Sequence, residues 1–183
     1  MNPSLDLFEG QPHYTERLRA DAEVLALRPD AEQQARYEEE AVSLLSSLMA
    51  LDEHSMTKSE DEKDFSPELA RLERKLDLVL ELLSTQLMDA QAPGEVSVQL
   101  SARGARWATH GAVPAPGTLV LGSIYLHRMM PRPLRLPAEV IGDQAGWLQL
   151  RFLPLGEACD ELLLRHVFQQ HRRALAGHRR GRR

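Results

Sequence analysis

Glycine is confined almost entirely to one half of this sequence of 183 residues. Gly10 is the only glycine before Pro93, whereas the other ten glycines follow it, and Pro93 is the first of seven prolines in the second half. Both residue types interrupt helices and form turns. The distribution predicts two domains, a helical region over residues 1–92 and a region of strands and turns over residues 93–183.

Charge divides the chain at the same point. Residues 1–92 contain 9 Lys and Arg against 21 Asp and Glu, whereas residues 93–183 contain 13 Arg against 6 Asp and Glu. The net charge of -5 therefore combines a region of -12 with a region of +7. The charge partition therefore supports a division into two unlike halves.

The chain lacks the sequence features of secreted and membrane-spanning proteins. Residues 1–16 contain no Lys or Arg with which a signal peptide would begin, and no run approaches the roughly 20 apolar residues of a membrane helix. We expect a cytoplasmic protein without membrane insertion. Cys159 is the single cysteine, so neither an internal disulfide nor a cysteine-based zinc site is expected.

Three helices are predicted in the acidic half. The first covers residues 18–28 and is ended by Pro29. Asp30 and Gln33 have the spacing of reciprocal caps at the start of the second helix. That helix is predicted to end near Leu51, and its buried stripe contains Ala41, Leu44, Leu45, Leu48 and Leu51. Residues 52–66 are strongly acidic and are predicted to form a solvated linker.

The third helix carries the clearest periodic pattern. Ser66 suits the N-cap and Pro67 the first helical position. Apolar residues then alternate at spacings of three and four, the seam of a coiled coil: Leu69, Leu72, Leu76, Val79 and Leu83. The stripe could pack on the protein's own core, but Leu78 and Leu82 add a second apolar face. We therefore favour self-association through this helix.

From Glu95 the hydrophobic period changes from helical to alternating. Helical spacing returns at residues 157–176, with Gly177 as the predicted end. Short strands without intervening helices indicate an antiparallel barrel or sandwich, and hence an α+β protein. The predicted strands cover residues 95–100, 105–109, 118–126, 134–141 and 147–153, and a turn at residues 142–146 joins the last two.

The second half resembles a PilZ domain over about residues 94–176. The resemblance rests on the segment Gln99–Trp107, on Gly117–Leu126, and on the hairpin and closing helix that follow. The helix at residues 72–83 resembles those of the atypical PilZ branch, whose helices assemble the protein into tetramers. The resemblance implies a PilZ-like antiparallel β-barrel with a C-terminal helix, preceded by an all-helical coiled-coil oligomerisation region.

The resemblance also implies a nucleotide site. Family members sense cyclic di-GMP with an Arg-x-x-x-Arg arm before the first strand and an Asp/Asn-x-Ser-x-x-Gly turn after it. Gln99 stands at the Asp/Asn position, whereas Ser101 and Gly104 match the turn. The hydroxyl could contact a ligand, and glycine permits close backbone approach. Alternatively, Ser101 and Gly104 only shape a turn between two strands.

The arginine arm is missing. No Lys or Arg occurs between Lys75 and Arg103, and two ligand phosphates call for guanidinium groups. We therefore predict no cofactor and no cyclic di-GMP binding in the family's usual way. The alternative is a sensor with a rearranged site, in which Arg103 and Arg106 face the same barrel mouth.

The C-terminus is rich in arginine, with six arginines among residues 172–183. Such a tail could bind nucleic acid, which is the second alternative function. We favour a role in which the tail complements the helix dipole and acidic partners, because only Phe168 is available nearby for base stacking.

No catalytic framework is evident. The sequence contains no G-x-S-x-G elbow, P-loop or H-E-x-x-H motif. His166 and His171 are five residues apart and therefore off one helix face, and Cys159 is expected to be a small buried residue rather than a nucleophile paired with His166. The sequence predicts a non-enzymatic bacterial signalling or adaptor protein, tetrameric by resemblance, that binds an unidentified protein partner. By the same resemblance it would act in motility, pilus function, biofilm formation or virulence.

Overall fold

A computed structural model describes residues 7–61, 71–72, 75–76, 78–79, 93–109, 112–127, 130–143 and 146–180. The elements in chain order are β1 (His13–Val24), α1 (Ala31–Asp61), β2 (Glu95–Ser101), β3 (Gly104–Ala108), β4 (Leu119–Tyr125), β5 (Leu134–Asp143), β6 (Trp147–Phe152) and α2 (Glu157–Arg180). Within the described ranges, neither long helix is apolar enough to cross a membrane.

The six strands close into one antiparallel barrel in the order β1-β2-β3-β6-β5-β4. Closure leaves no free strand edge and brings alternate side chains of every strand into one core. Core residues of β2 to β6 include Val98, Leu100, Ala105, Trp107, Val120, Ile124, Leu136, Val140, Leu148 and Leu150. The predicted barrel is confirmed, as are its five strands after residue 94, whose bounds differ by at most two residues.

Residues 13–24 form β1, so the prediction of a helix over residues 18–28 is wrong. β1 pairs antiparallel with β2 on one side, where Tyr14 lies opposite Leu100, and with β4 on the other. Helical spacing in so short a segment cannot be distinguished from a strand, and the partner β2 begins more than 70 residues later. A division at residue 93 therefore separates β1 from the barrel that it closes.

α1 begins at the predicted capping box. The side chain of Asp30 accepts a 2.8 Å hydrogen bond from the backbone N–H of Gln33, and Gln33 Oε1 accepts a 3.2 Å bond from the N–H of Asp30. The predicted stripe is buried except for Leu51, which is 47% exposed.

The prediction that this helix ends near Leu51 is wrong, because α1 continues to Asp61. Residues 52–61, predicted as a linker, are therefore helical, and residues 62–66 lie outside the described part of the chain. The acidic segment contains many good helix formers, and no Gly or Pro occurs between Pro29 and Pro67 to stop propagation.

α2 packs against α1 and β1, and α1 also packs against β5. The buried face of α2 contains Cys159, Leu163, His166 and Val167. Gly177 does not end the helix as predicted, since α2 continues to Arg180. A single glycine costs a helix only about 1 kcal/mol, and the arginines on both sides favour helix.

The coiled-coil seam lies only partly within the described residues. Leu72, Leu76 and Val79 have helical backbone, and their side chains are 64%, 59% and 50% exposed. Leu69 and Leu83 fall outside the described residues, as does the predicted start at Ser66 and Pro67. The described part of the seam is therefore not buried within one protomer.

Candidate binding site on the barrel

The predicted site residues lie on and beside the turn that joins β2 to β3. Ser101 is buried within this turn. Its hydroxyl donates a 3.1 Å hydrogen bond to the carbonyl oxygen of Gly104 and accepts a 3.3 Å bond from the backbone N–H of Arg103. The only hydrogen of the hydroxyl is therefore used to stabilise the turn.

Gly104 is buried where the backbones of β3 and β6 approach each other. A Cβ at this position would overlap the carbonyl oxygen of Leu150 and lie 3.0 Å from Leu7 Cδ1. Close packing, rather than a left-handed backbone, requires glycine here. The match of Ser101 and Gly104 to the family turn therefore has a structural explanation that needs no ligand.

Gln99 and Arg106 face each other across the β2–β3 ladder. The same row continues to Thr15 on β1 and to Gln149 on β6. Because neighbouring residues on these strands belong to the barrel core, the row lies on the opposite, outer face of the sheet. The structure thus places Gln99 and Arg106 side by side on this face.

The guanidinium group of Arg106 lies close to two aromatic rings. Its Cζ atom is 5.1 Å from the ring centroid of Phe8 and 5.7 Å from that of Trp147, within the range of cation–π interactions. Its Nε atom is buried without a hydrogen-bond partner. The group is therefore engaged by aromatic side chains, and Phe8 is a site residue that the sequence pattern did not indicate.

Arg103 is exposed on a different feature, a cavity of about 290 Å³. The charged residues at this cavity are Arg103, Arg151 and Asp160, and the apolar wall consists of Leu7, Ala102, Phe152, Leu153, Pro154 and Leu155. Arg106 does not line it. Arg151, which sequence reasoning missed, is placed there by its register opposite Gly104 on β3.

A second polar group lies where α2 packs on β1. The hydroxyl of Tyr14 and Nε2 of His166 are 3.2 Å apart, and both residues are buried. Burial, with a smaller contribution from the charge of Glu16, raises the pKa of Tyr14 far above its ordinary value. The phenol is therefore neutral and contributes to the packing of α2. Among the described residues, no group of three or more His, Cys, Asp or Glu side chains is arranged to hold a metal ion.

Cys159 is buried on α2 in surroundings that disfavour a thiolate. Burial, followed by the charges of Glu38 and Asp160, raises the pKa of its thiol from 9.0 to about 11. His166 is seven residues further along, which corresponds to about 10 Å of helix, and it contacts Tyr14 instead. The two residues do not have the geometry of a nucleophile and its base.

Comparison with known proteins identifies the family. Residues 45–180 match the family described as atypical PilZ domain, cyclic di-GMP receptor. The chain belongs to the atypical PilZ family. The resemblance seen in the sequence is therefore confirmed, and no curated protein sequence matches.

A solved structure supports the same assignment for the atypical PilZ chain. It is the crystal structure of a pathogenic protein from Xanthomonas campestris, reported as a new tetrameric PilZ domain that self-assembles via an unusual helical bundle. The two chains are 30% identical, the TM-score is 0.70, and the match covers 94% of this chain and 95% of that one.

Replacing Gly104 with alanine should destabilise the protein by more than about 2 kcal/mol, because the new Cβ would meet backbone that no side-chain rotation can move. Gly94→Ala is the matched control, since a Cβ there meets nothing within 4 Å. The control should change stability by less than about 0.5 kcal/mol. Urea unfolding measures both, and equal effects would contradict the close packing at Gly104.

Cys159 should resist alkylation in the folded protein. With a thiol pKa of about 11, about one thiol in a thousand is ionised at pH 8. Iodoacetamide should therefore label the folded chain far more slowly than the urea-unfolded chain.

The raised pKa of Cys159 also predicts a pH dependence. The folded-state value lies above the ordinary value of 9.0, so its stabilising contribution is complete below pH 9 and is lost as the pH rises towards 11. Between pH 9 and 10, urea unfolding should show stability falling more steeply in the wild type than in Cys159→Ala. Identical slopes would contradict the assignment.

Proposed function

We propose that this protein is a non-enzymatic bacterial signalling adaptor that displays PilZ barrels on an oligomer and does not bind cyclic di-GMP in the family's usual way. The observation that carries this proposal is the closed β2–β3 turn. The hydrogen of the Ser101 hydroxyl is bonded within the turn, and Gln99 replaces the family's Asp or Asn.

The lack of an arginine arm supports the loss of usual binding. β1 is the first strand of the barrel, and residues 1–16 contain no Lys or Arg. The segment before β2 also lacks basic residues, because no Lys or Arg occurs between Lys75 and Arg103. Neither segment can supply the bidentate guanidinium contacts that a ligand with two phosphates needs.

A role through contacts also agrees with the chemistry of the described residues. The thiol of Cys159 is buried with a raised pKa, and the guanidinium group of Arg106 contacts the rings of Phe8 and Trp147. We place the protein in the cytoplasm, with a protein partner and an output in motility, pilus function, biofilm formation or virulence. Nucleic acid is not part of this proposal, because Phe168 is the only aromatic residue after Phe152.

We further propose that the oligomer is a homotetramer held by the heptad helix, and that the helical part of residues 1–92 serves this assembly. The exposed side chains of Leu72, Leu76 and Val79 support the proposal, since an apolar stripe of this kind is stable when a partner helix covers it. Four linked barrels would also strengthen weak contacts with a multivalent partner.

Calorimetric titration of the wild type with cyclic di-GMP at physiological salt should show no saturable binding in the micromolar range. A second candidate function, a sensor with a rearranged site, is favoured by the exposure of Arg103 at a cavity beside the turn. Micromolar binding that weakens in both Arg103→Ala and Arg106→Ala would contradict the proposal and support that sensor.

Replacing Leu76 and Leu83 together with glutamine should dissociate the oligomer, because the change places polar groups in the coiled-coil seam. Light scattering should then give a mass near the 20.6 kDa of one chain. Leu27→Gln is the matched control, since Leu27 is an exposed leucine outside the seam. An unchanged mass in the double variant would contradict assembly through this helix.

A further inference from the structure

The N-terminal segment lies across the outer face of the barrel next to the β2–β3 turn. Leu7 and Phe8 are both buried, although the residues that follow them are partly or fully exposed. The segment turns back through a hydrogen bond from the N–H of Gln11 to the carbonyl oxygen of Phe8 and through Gly10, whose φ is 72°. We call residues 7–11 the strap.

Phe8 lies in a site, which we call its seat, that is formed by His13, Arg106 and Gln149. Its ring faces Arg106 and makes an edge-to-face contact with the ring of His13, with 5.8 Å between the ring centroids. Gln149 pairs with Arg106 in the β3–β6 register and is 1% exposed, yet its Oε1 atom has no hydrogen-bond partner. The seat therefore holds a buried donor, Arg106 Nε, and a buried acceptor that Phe8 does not satisfy.

Leu7 lies in a second seat, formed by Gly104 and the neighbouring cavity, and does not fill that cavity. It lies against Gly104, where a side chain would have no room, and it forms one wall of the 290 Å³ cavity. The rest of that wall is largely apolar, and the exposed side chains of Arg103 and Arg151 stand beside it. The cavity could take a further apolar side chain.

The charges of the strap and of this surface are complementary. In the sequence Asp6, which precedes the strap, and Glu9 flank Leu7 and Phe8, so that residues 6–9 read acid-Leu-Phe-acid. Arg106 lies over the Phe8 ring, and the cavity beside Leu7 is lined by Arg103 and Arg151 and by one acidic residue, Asp160.

We propose that this face of the barrel is a docking surface for partner peptides that carry a Leu-Phe pair flanked by acidic residues, and that the strap occupies it in cis until such a peptide displaces it. The inference rests on the proposed adaptor function and names the chemistry of the partner. A strap anchored by two side chains opens more readily than the barrel. A peptide with one more apolar residue would also fill the cavity beside Leu7.

The test uses the full-length Phe8→Ala variant, whose strap lacks its ring, and a synthetic peptide with the sequence of residues 5–11. Calorimetry should show binding to this variant and at least about tenfold weaker binding to the wild type, in which the strap competes. A peptide with Phe replaced by Ala should bind the variant at least about tenfold more weakly, and so should the original peptide to the double variant Phe8→Ala/Arg106→Ala.

Phe168→Ala is the matched control, because Phe168 is exposed on α2, outside the strap and its seats. It should bind the peptide as weakly as the wild type does. Absence of binding to a folded Phe8→Ala variant, or equal binding of the two peptides, would overturn the proposal.

A measurement on the wild type covers the case in which Phe8→Ala does not fold. Excess peptide should accelerate hydrogen exchange of the amides of residues 7–11 and leave the barrel strands unchanged. Unchanged exchange of the strap would overturn the proposal. The cyclic di-GMP titration and the mass of the oligomer do not involve the peptide, so a failure of the docking surface is distinguishable from a failure of the adaptor function.

Discussion

The pairing of β1 with both β2 and β4 is the interaction on which the rest of the structure depends. It closes the barrel, removes the free edges of two strands, and joins the N-terminal residues to a sheet whose other strands all lie after residue 94. The helices follow from this closure, because α1 starts a few residues after β1 ends and α2 packs on β1. Closure also places the strap beside the β2–β3 turn.

The turn shows how a ligand motif can persist for structural reasons. In this chain the Ser101 hydroxyl closes the turn with a hydrogen bond. Gly104 has no side chain beyond hydrogen and therefore lets the backbones of β3 and β6 pack closely. These demands remain whether or not a nucleotide binds. Arg106, which lies directly opposite Gln99 in the β2–β3 register, contacts the rings of Phe8 and Trp147.

Local patterns predicted most of the elements, and the failures have physical causes. The Asp30 capping box and the alternation of apolar and polar residues after Glu95 depend only on residues close together in the chain. Both can therefore be predicted from the sequence. Acidity alone does not indicate a linker, because residues 52–61 contain nothing that stops a helix and α1 continues through them. Gly177 does not end α2, because one glycine does not outweigh good helix formers on both sides.

The sequence by itself determined the start of α1, the barrel strands after residue 94, the family and the residues of the β2–β3 turn, because capping pattern, hydrophobic period and motif spacing are local properties. Only the tertiary structure decided that residues 13–24 are a strand, that Arg103 and Arg106 serve different features, and that Leu7 and Phe8 cover the outer face. These facts depend on contacts between residues far apart in the chain. Strand register and burial arise from barrel closure, which the spacing of apolar residues within one segment does not predict.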